Sequence, residues 1–309
     1  MDATPQAQLI TEHTERIAGT KTFWRSADAP AGSPTAGAPV LYVHGVPTNA
    51  DDWTPFLERT GGVALDLPGF GRSEKSQTFE YSIGGYNAFL QAFIGRLGWD
   101  RFSLVVHDWG VLALVTAQEL NDRLERLVII NAVPLLPGYR WHRIARAWRT
   151  PALGEFVMGM TTKSASKFLS KESRPGNRPW PPEMLDSVWK HFDHGTQRAI
   201  LRLYRSAPPE VLELAGERLG LLSSPTLVLW GERDPYIPAA FAQAFADRID
   251  GARLKYLPDA GHWPWLDRED AVDIATAFLL GEQVDIGPAT HRNGSADDPA
   301  GPAASHTSA

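Results

Sequence analysis

Short apolar runs alternate with helical patterns over most of the chain. The runs occupy residues 40–43, 63–66, 102–106, 127–130, 226–230 and 253–257. Apolar positions recur at helical spacing in 82–97, about 110–121 and near 265–280, whereas 9–17 and 21–25 are typical of a short strand pair. Short, mostly apolar strands that alternate with helices predict an α/β fold: a mostly parallel sheet with helices on both faces.

The stretch from about 133 to 224 interrupts this alternation. Its spacing is helical, it is broken by Pro and Gly, and no strand stands out in it. We therefore predict a helical cap, residues 133–224, inserted into a core domain formed by 1–132 and 225–280. Residues 281–309 are rich in Gly, Ala, Ser and Asp, which predicts a flexible tail.

Composition narrows the possible partners. The chain has 309 residues, 43% of them hydrophobic, which suits one large domain with an insertion. Lys and Arg number 30 against 36 Asp and Glu, with both signs mixed, so we expect no nucleic-acid partner and no membrane partner. Residues 1–19 lack an apolar signal core and no run approaches the roughly 18 apolar residues of a membrane span, so we predict a cytoplasmic protein. The sequence makes no prediction of oligomeric state.

Three polar residues follow predicted strands, where ligands gather in an open parallel sheet. They are Asp108, Asp234 and His262, in the order acid, acid, histidine. Asp108 stands in V-V-H-D-W-G, where a strand–turn–helix would hold its side chain clear of the sheet and Gly110 would let the turn close. This is the pattern of a nucleophile elbow, with Asp where G-x-S-x-G has Ser.

Each of these residues also has an ordinary structural interpretation. Asp108 is suitable as a helix N-cap, Asp234 precedes Pro235 and is suitable as a turn residue, and His262 is compatible with a plain loop histidine. Their order along the chain favours the catalytic interpretation. The spacing of the histidines matches no usual metal-ligand motif, and the absence of cysteine excludes thiolate sites, so we expect neither a metal nor a cofactor.

From about residue 20 to 280 the sequence resembles the α/β-hydrolase superfamily, specifically the aspartate-nucleophile branch of epoxide hydrolases and haloalkane dehalogenases. The motifs that carry the resemblance are H-G-V-P at 44–47, D-L-P-G-F-G-R-S at 66–73, V-V-H-D-W-G at 105–110, G-E-R-D-P at 231–235 and G-H-W-P at 261–264. The resemblance implies an α/β-hydrolase fold with a helical cap over an apolar pocket. Its substrate would be a small, apolar, electrophilic molecule.

The resemblance also implies a two-step reaction. Attack on an alkyl carbon by serine would give an ether, whereas attack by the Asp108 carboxylate gives an ester that activated water can hydrolyse. Unperturbed Asp, with a pKa of about 3.9, is already ionised at neutral pH, so the first step needs no base. His262, oriented by Asp234, is then the base of the second step, and the family pattern implies that backbone N–H groups of Val46 and Trp109 form the oxyanion hole. His44 is expected to be structural and His107 buried.

The choice between epoxide and halide depends on the leaving group. Epoxide hydrolases stabilise an alkoxide with cap tyrosines, and Leu203-Tyr204-Arg205 resembles one of these. Val46 stands where many dehalogenases have a halide-binding Asn, which also favours epoxide opening, although Pro47-Thr48 and V-V-H-D-W-G are dehalogenase-like. The second cap donor stays open: it is one of Tyr139, Trp141, His142 and Trp148, or none of them.

Asn131 follows the strand at 127–130, where one dehalogenase subgroup carries its triad acid as Glu, so Asp234 is left with that role. We expect epoxide hydrolysis to a diol with Tyr204 steadying the oxirane oxygen, and haloalkane dehalogenation as the alternative. An alternative of another class is a non-catalytic ligand-binding protein with this fold.

Overall fold

Eight strands form one sheet in the part of the chain described by a computed structural model, residues 9–30, 38–284 and 286. Their spatial order is β1-β2-β4-β3-β5-β6-β7-β8. Strands β1 and β2 pair antiparallel, β2 meets β4 antiparallel, and all remaining pairs are parallel. The strands are β1 Thr11–Ile17, β2 Thr20–Ala27, β3 Val40–Val43, β4 Gly62–Leu65, β5 Phe102–Asp108, β6 Leu124–Ala132, β7 Thr226–Gly231 and β8 Arg253–Leu257.

Helices cover both faces of the sheet, because its central strands are apolar on both sides. Every residue of β3, β5 and β7 is buried. Helices α2, α3 and α10 pack with one apolar cluster, and α1 and α11 with the other. The α-helices are α1 Thr54–Thr60, α2 Ile83–Leu97, α3 Ala113–Glu119, α4 Arg143–Arg149, α5 Leu153–Gly159, α6 Lys163–Glu172, α7 Pro182–His191, α8 His194–Ser206, α9 Pro209–Ala215, α10 Ala240–Arg248 and α11 Asp270–Leu279.

The predicted fold class is confirmed. The sheet is mostly parallel, helices cover both faces, and α4 to α9 form a cap-like helical region between β6 and β7. The division into core 1–132 and 225–280 and cap 133–224 stays a prediction. The predicted tail, 281–309, lies outside the described residues apart from 281–284 and 286.

Two predicted helices begin later than their patterns indicated. The segment expected as a helix over 110–121 opens with a 3-10 turn at Trp109–Leu112 before α3. The segment near 265–280 likewise opens with a 3-10 turn at Pro264–Leu266 and becomes α-helical only at α11. The first turn directly follows the end of β5 at Asp108, and the second directly follows the loop that carries His262 after β8. No helix in the described part of the chain is long and apolar enough to cross a membrane.

Candidate active site

Asp108 ends strand β5 in a backbone conformation that side-chain-bearing residues rarely adopt. Its φ is 50° and its ψ is −120°. Such a conformation costs on the order of 1–3 kcal/mol and persists only where the surroundings impose it. The surroundings of Asp108 impose it because neighbouring segments pack closely around the turn. A Cβ on Gly45 would lie 2.3 Å from the Asp108 Cβ, and a Cβ on Gly110 would lie 2.1 Å from the Val43 carbonyl oxygen. The strained turn aims the carboxylate away from the sheet.

The Asp108 carboxylate contacts a backbone donor and an imidazole. Its Oδ1 accepts the Val46 N–H at 2.8 Å, and its Oδ2 lies 3.5 Å from Nε2 of His262. Burial alone would raise the pKa of Asp108, but the hydrogen bond and positive charge of His262, together with the Val46 N–H, lower it below its ordinary value. Asp108 is therefore a buried carboxylate that stays ionised at neutral pH.

His262 is held from its other ring nitrogen by Asp234. Nδ1 of His262 donates to Oδ2 of Asp234 at 2.7 Å. Asp234 is fixed in turn: its Oδ1 accepts the N–H groups of Tyr236 and Ile237 at 2.8 and 3.1 Å, and its Oδ2 accepts the Asn131 amide at 2.8 Å. These hydrogen bonds set the tautomer of the histidine and leave Nε2 facing Asp108.

The neighbouring carboxylates control the charge of His262. Burial lowers its pKa, but the charge of Asp234 and the hydrogen bonds to Asp108 and Asp234 outweigh burial and raise the pKa to about 10. The raised value depends on a negative Asp108, because both the hydrogen bond and the charge of that residue contribute to it. Any reaction that neutralises Asp108 therefore lowers the pKa of His262. The imidazole then loses its proton more readily, and its free nitrogen can accept a proton from water.

The other two histidines of the quoted motifs are tied into the backbone. His44 donates from Nδ1 to the Gly45 carbonyl at 2.7 Å and accepts the Leu67 N–H at Nε2 at 3.0 Å, which links the H-G-V-P loop to the end of β4. His107 lies 2.8 Å through Nε2 from the His262 carbonyl oxygen. Burial lowers the pKa of His44 to about 4 and that of His107 to about 3, so both are neutral. The described residues contain no cluster of three or more His, Cys, Asp or Glu that could hold a metal ion.

A cavity of about 190 Å³ opens beside Asp108 and His262 beneath the cap. Its walls are largely apolar, and all five cap residues singled out from the sequence line it: Tyr139, Trp141, His142, Trp148 and Tyr204. The cavity is therefore suited to a small molecule with little polar surface, held against the carboxylate.

Tyr204 lies at the centre of an aromatic group in this cavity. Its ring centroid is 5.0 Å from those of Trp109, Trp141 and Trp148. Burial raises the pKa of Tyr204 well above its ordinary value, and the negative charge of Asp108 adds to the rise, while contact with Trp109 opposes it only in part. Tyr204 is thus a protonated phenol whose charge state responds to Asp108.

The remaining cap residues differ in whether they have a free donor. The Tyr139 hydroxyl and the Trp148 indole N–H are buried and have no hydrogen-bond partner among the described residues, whereas the Trp141 N–H donates to the Ala207 carbonyl at 3.2 Å. His142 caps α4 by accepting the Ala145 N–H at 3.4 Å, and burial lowers its pKa to about 4. Tyr139 and Trp148 therefore carry unused donors, Trp141 does not, and His142 is neutral.

Two residues that contact His262 or Asp234 were not recognised from the sequence as part of the candidate site. Tyr236 lines the cavity and lies edge-on to the His262 ring at 5.2 Å. The only indication in the sequence that Tyr236 belongs to the site is its position two residues after Asp234. Asn131 was noted for lacking an acid, but its amide bonds to Asp234 and to the Gly231 carbonyl, and its side-chain oxygen accepts the Gly231 N–H. Only the paired ends of β6 and β7 make that role visible.

Comparison with known proteins agrees with this geometry. Residues 38–269 match the family model described as the alpha/beta hydrolase fold. The chain belongs to the α/β hydrolase family. Epoxide hydrolase 3 of Mus musculus is 27% identical to this α/β hydrolase over 79% of this chain and 71% of its own. Haloalkane dehalogenase 1 of Mycobacterium bovis is 30% identical over 79% of this chain and 84% of its own. The hydrolase is thus of the type that includes both groups of enzymes.

A solved structure supports the fold. The haloalkane dehalogenase DbeA from Bradyrhizobium elkani superimposes on this α/β hydrolase with a TM-score of 0.75 at 22% identity, covering 88% of this chain and 98% of its own. At that identity the likeness concerns the fold, so the choice of substrate has to come from the side chains around Asp108.

Proposed function

We propose that this α/β hydrolase opens epoxides to diols through an ester on Asp108, with residues 133–224 as the cap that supplies the acid. The observation that carries the proposal is the protonated phenol of Tyr204 in the same apolar cavity as the Asp108 carboxylate. A departing alkoxide needs a proton or a strong hydrogen bond, and a buried phenol supplies one.

In the first half-reaction, an oxygen of Asp108 attacks a ring carbon of the epoxide. A carbon–oxygen ester bond forms, the ring carbon–oxygen bond breaks, and its electron pair goes to the former ring oxygen. Tyr204 gives its proton to that oxygen, and Tyr139, whose hydroxyl has no hydrogen-bond partner, lies on the same cavity as a second donor. The ionised state of Asp108 makes a general base unnecessary here.

In the second half-reaction, water attacks the ester carbonyl while His262 takes a proton from it. Esterification has removed the negative charge of Asp108, which is one cause of the high pKa of His262, so the imidazole loses its proton more readily at this stage. Asp234 stabilises the imidazolium that forms, and the N–H groups of Val46 and Trp109 stabilise the oxyanion. Collapse releases the diol and regenerates Asp108. One water proton stays on His262 and the other passes to the departing diol oxygen, while the proton that His262 lost before hydrolysis returns to Tyr204.

A second candidate function is haloalkane dehalogenation. It is favoured by the indole N–H groups of Trp109 and Trp148, which are buried and have no hydrogen-bond partner of ordinary geometry in the part of the chain that the structure describes. Both indole rings contact Tyr204, and Trp148 lines the cavity. N–H donors are what a departing halide requires, and the ester chemistry of Asp108 and His262 would be the same.

A substrate panel separates the two functions. Purified enzyme is offered terminal epoxides and bromoalkanes of matched chain length, and diol and bromide are measured separately. We expect diol formation to exceed bromide release by at least about tenfold in kcat/KM. Bromide release that equals or exceeds diol formation would replace the first proposal with the second.

A further inference from the structure

Asp52 is a buried acid that the proposed reaction does not use. It lies in the 3-10 turn Ala50–Trp53, shortly after the H-G-V-P loop, and is only 8% exposed. Within the described ranges no Lys or Arg forms an ion pair with it. Its neighbour Asp51 differs sharply, because it pairs with Arg72 and Arg25 and accepts the Ser187 hydroxyl. Burying a carboxylate without a cation is costly, so the groups that do contact Asp52 deserve an explanation.

Those contacts come from the two loops that carry the chemistry. The indole N–H of Trp263 donates to Oδ2 of Asp52 at 3.4 Å. The Thr48 hydroxyl, which lies 3.3 Å from the Gly45 carbonyl oxygen, is a second hydrogen-bonding group that lowers the pKa of Asp52. Trp263 directly follows His262, and Thr48 lies two residues after Val46. Asp52 thus interacts with the loop that carries His262 and with the loop that carries Val46.

The Trp263 ring transmits this contact to the base. It lies edge-on to the His262 imidazole, with centroids 4.5 Å apart at 87°. Its other neighbours are the ring of Trp180, at 4.7 Å, and that of His107, at 5.3 Å. An indole packed on three sides cannot rotate without moving the imidazole, so the single polar contact at its N–H fixes the orientation of the whole group.

We propose that Asp52 is a positioning residue for ester hydrolysis, anchoring through Trp263 the loop of His262 and through Thr48 the loop of the Val46 N–H. The inference rests on the proposed ester mechanism. Both loops serve the second half-reaction, His262 as base and Val46 as an oxyanion donor. The attack by Asp108 on the substrate needs neither a base nor an oxyanion, so the first half-reaction depends on Asp52 much less.

The charge of Asp52 changes near neutral pH. Burial raises its pKa to about 7, hydrogen bonds from Thr48 and Trp263 oppose the rise, and the charges of Asp51 and Asp66 add to it. Asp52 also lines a second pocket, distinct from the active-site cavity, together with the charged residues Arg25, Arg72, Glu12 and Glu183, of which the two arginines pair with Asp51. Protonation turns the carboxylate into a weaker acceptor for the Trp263 N–H, so the anchor loosens as the pH falls.

The link between Asp52 and Trp263 can be measured without substrate. In ¹⁵N-labelled protein, Trp263→Phe identifies the Trp263 indole signal. We expect this signal to titrate with a midpoint of about 7 in the wild type and to be flat in Asp52→Asn. Asp51→Asn is the matched control: the titration persists, and its midpoint moves down because a neighbouring negative charge is gone. An indole signal that titrates identically in Asp52→Asn would overturn the inference.

Single-turnover kinetics then test the effect on the reaction. At about pH 8, Asp52→Asn should slow ester hydrolysis at least about tenfold and ester formation by less than about threefold. Asp51→Asn should leave the ratio of the two rates unchanged. If Asp52→Asn folds poorly, Trp263→Phe removes the same hydrogen bond from the other side and should give the same selective loss. Equal slowing of both steps, or no slowing of either, would overturn the inference. A wild type that forms no ester on Asp108 would instead refute the proposed function, and the indole titration would then test the link between Asp52 and Trp263 by itself.

Discussion

Nε2 of His262 lies 3.5 Å from Oδ2 of Asp108. The distance makes the pair a loose ion pair rather than a tight hydrogen bond, while Nδ1 is held closely by Asp234 at 2.7 Å. In the proposed mechanism, the loosely held side is the one that admits a water molecule next to the ester carbonyl. The tight side keeps the imidazole in place while that happens.

Replacing the base should trap the intermediate. In His262→Gln, the charge of His262 is lost and the pKa of Asp108 rises, so ester formation slows, but ester hydrolysis stops because nothing removes a proton from the hydrolytic water. We expect turnover to fall by about 10³-fold or more and one substrate mass to be added to the peptide that contains Asp108. Intact-mass and peptide mass spectrometry after mixing with substrate measure both. Added mass on any other peptide would assign the nucleophile elsewhere.

The two half-reactions should differ in their dependence on pH. The pKa of Asp108 is below its ordinary value, so the nucleophile stays ionised, and that of Tyr204 is far above neutral, so the acid stays protonated. We therefore expect ester formation to be flat between about pH 5 and pH 9. Ester hydrolysis should rise with pH, because His262 must be neutral, and its midpoint should lie below the value of about 10 that holds while Asp108 is negative. Stopped-flow single turnovers separate the two; an acid limb on ester formation in this range would contradict the assignment.

The sequence predicted the sheet and the triad for the same reason. The buried strands β5 and β7 are mostly apolar, so their ends are visible in the sequence. Asp108 ends β5, Asp234 follows β7, and His262 follows the partly exposed edge strand β8. The roles of these residues remain predictions, but the structure brings all three within hydrogen-bond or ion-pair distance.

Contacts between distant segments could not be predicted in this way. Asn131 and Asp234 are 103 positions apart, and Asp52 and Trp263 are 211 apart. Asp52 in particular is one acid in the pair Asp51-Asp52, and the sequence does not indicate which of them is buried. That distinction depends on the way the turn Ala50–Trp53 faces the loop after β8, which only the folded chain determines.

Removing the Asn131 side chain should loosen the triad acid. Its amide donates to Asp234 at 2.8 Å, and its backbone φ of 37° makes Gly the replacement that adds no strain. A hydrogen bond to a charged group contributes about 1.5–3 kcal/mol, so Asn131→Gly should slow ester hydrolysis by about ten- to a hundredfold while ester formation changes little. Single-turnover rates measure this. Slowing confined to ester formation would contradict the role given to Asn131.

Asp52→Asn should stabilise the protein above neutral pH. The pKa of Asp52 is about 7 in the folded protein, above its ordinary value of 3.8, so the folded state binds the proton more tightly than the unfolded chain does. This contribution to the free energy of unfolding is complete below a pH of 3.8 and is lost as the pH rises to about 7. The neutral amide suffers no such loss. We expect the free energy of unfolding of Asp52→Asn to increase relative to that of the wild type between about pH 4 and pH 7, by up to about 4 kcal/mol. Above about pH 7 the difference should stay constant. Chemical denaturation at a series of pH values measures the difference, and a constant difference over this range would show that Asp52 does not titrate as described.

Tyr204→Phe tests the choice of substrate. The variant keeps the aromatic packing against Trp109 and Trp148 and removes only the hydroxyl. Loss of a general acid costs about 10²- to 10⁴-fold, so ester formation from epoxides should fall by at least about a hundredfold. Any bromide release from bromoalkanes should change by less than about threefold, because a halide leaves without a proton. Tyr86→Phe, which removes a buried hydroxyl bonded to the Pro68 carbonyl instead, should leave both rates unchanged. Equal losses on both substrates would make Tyr204 a packing residue, and no loss on epoxides would assign the proton to another donor, with Tyr139 the next to test.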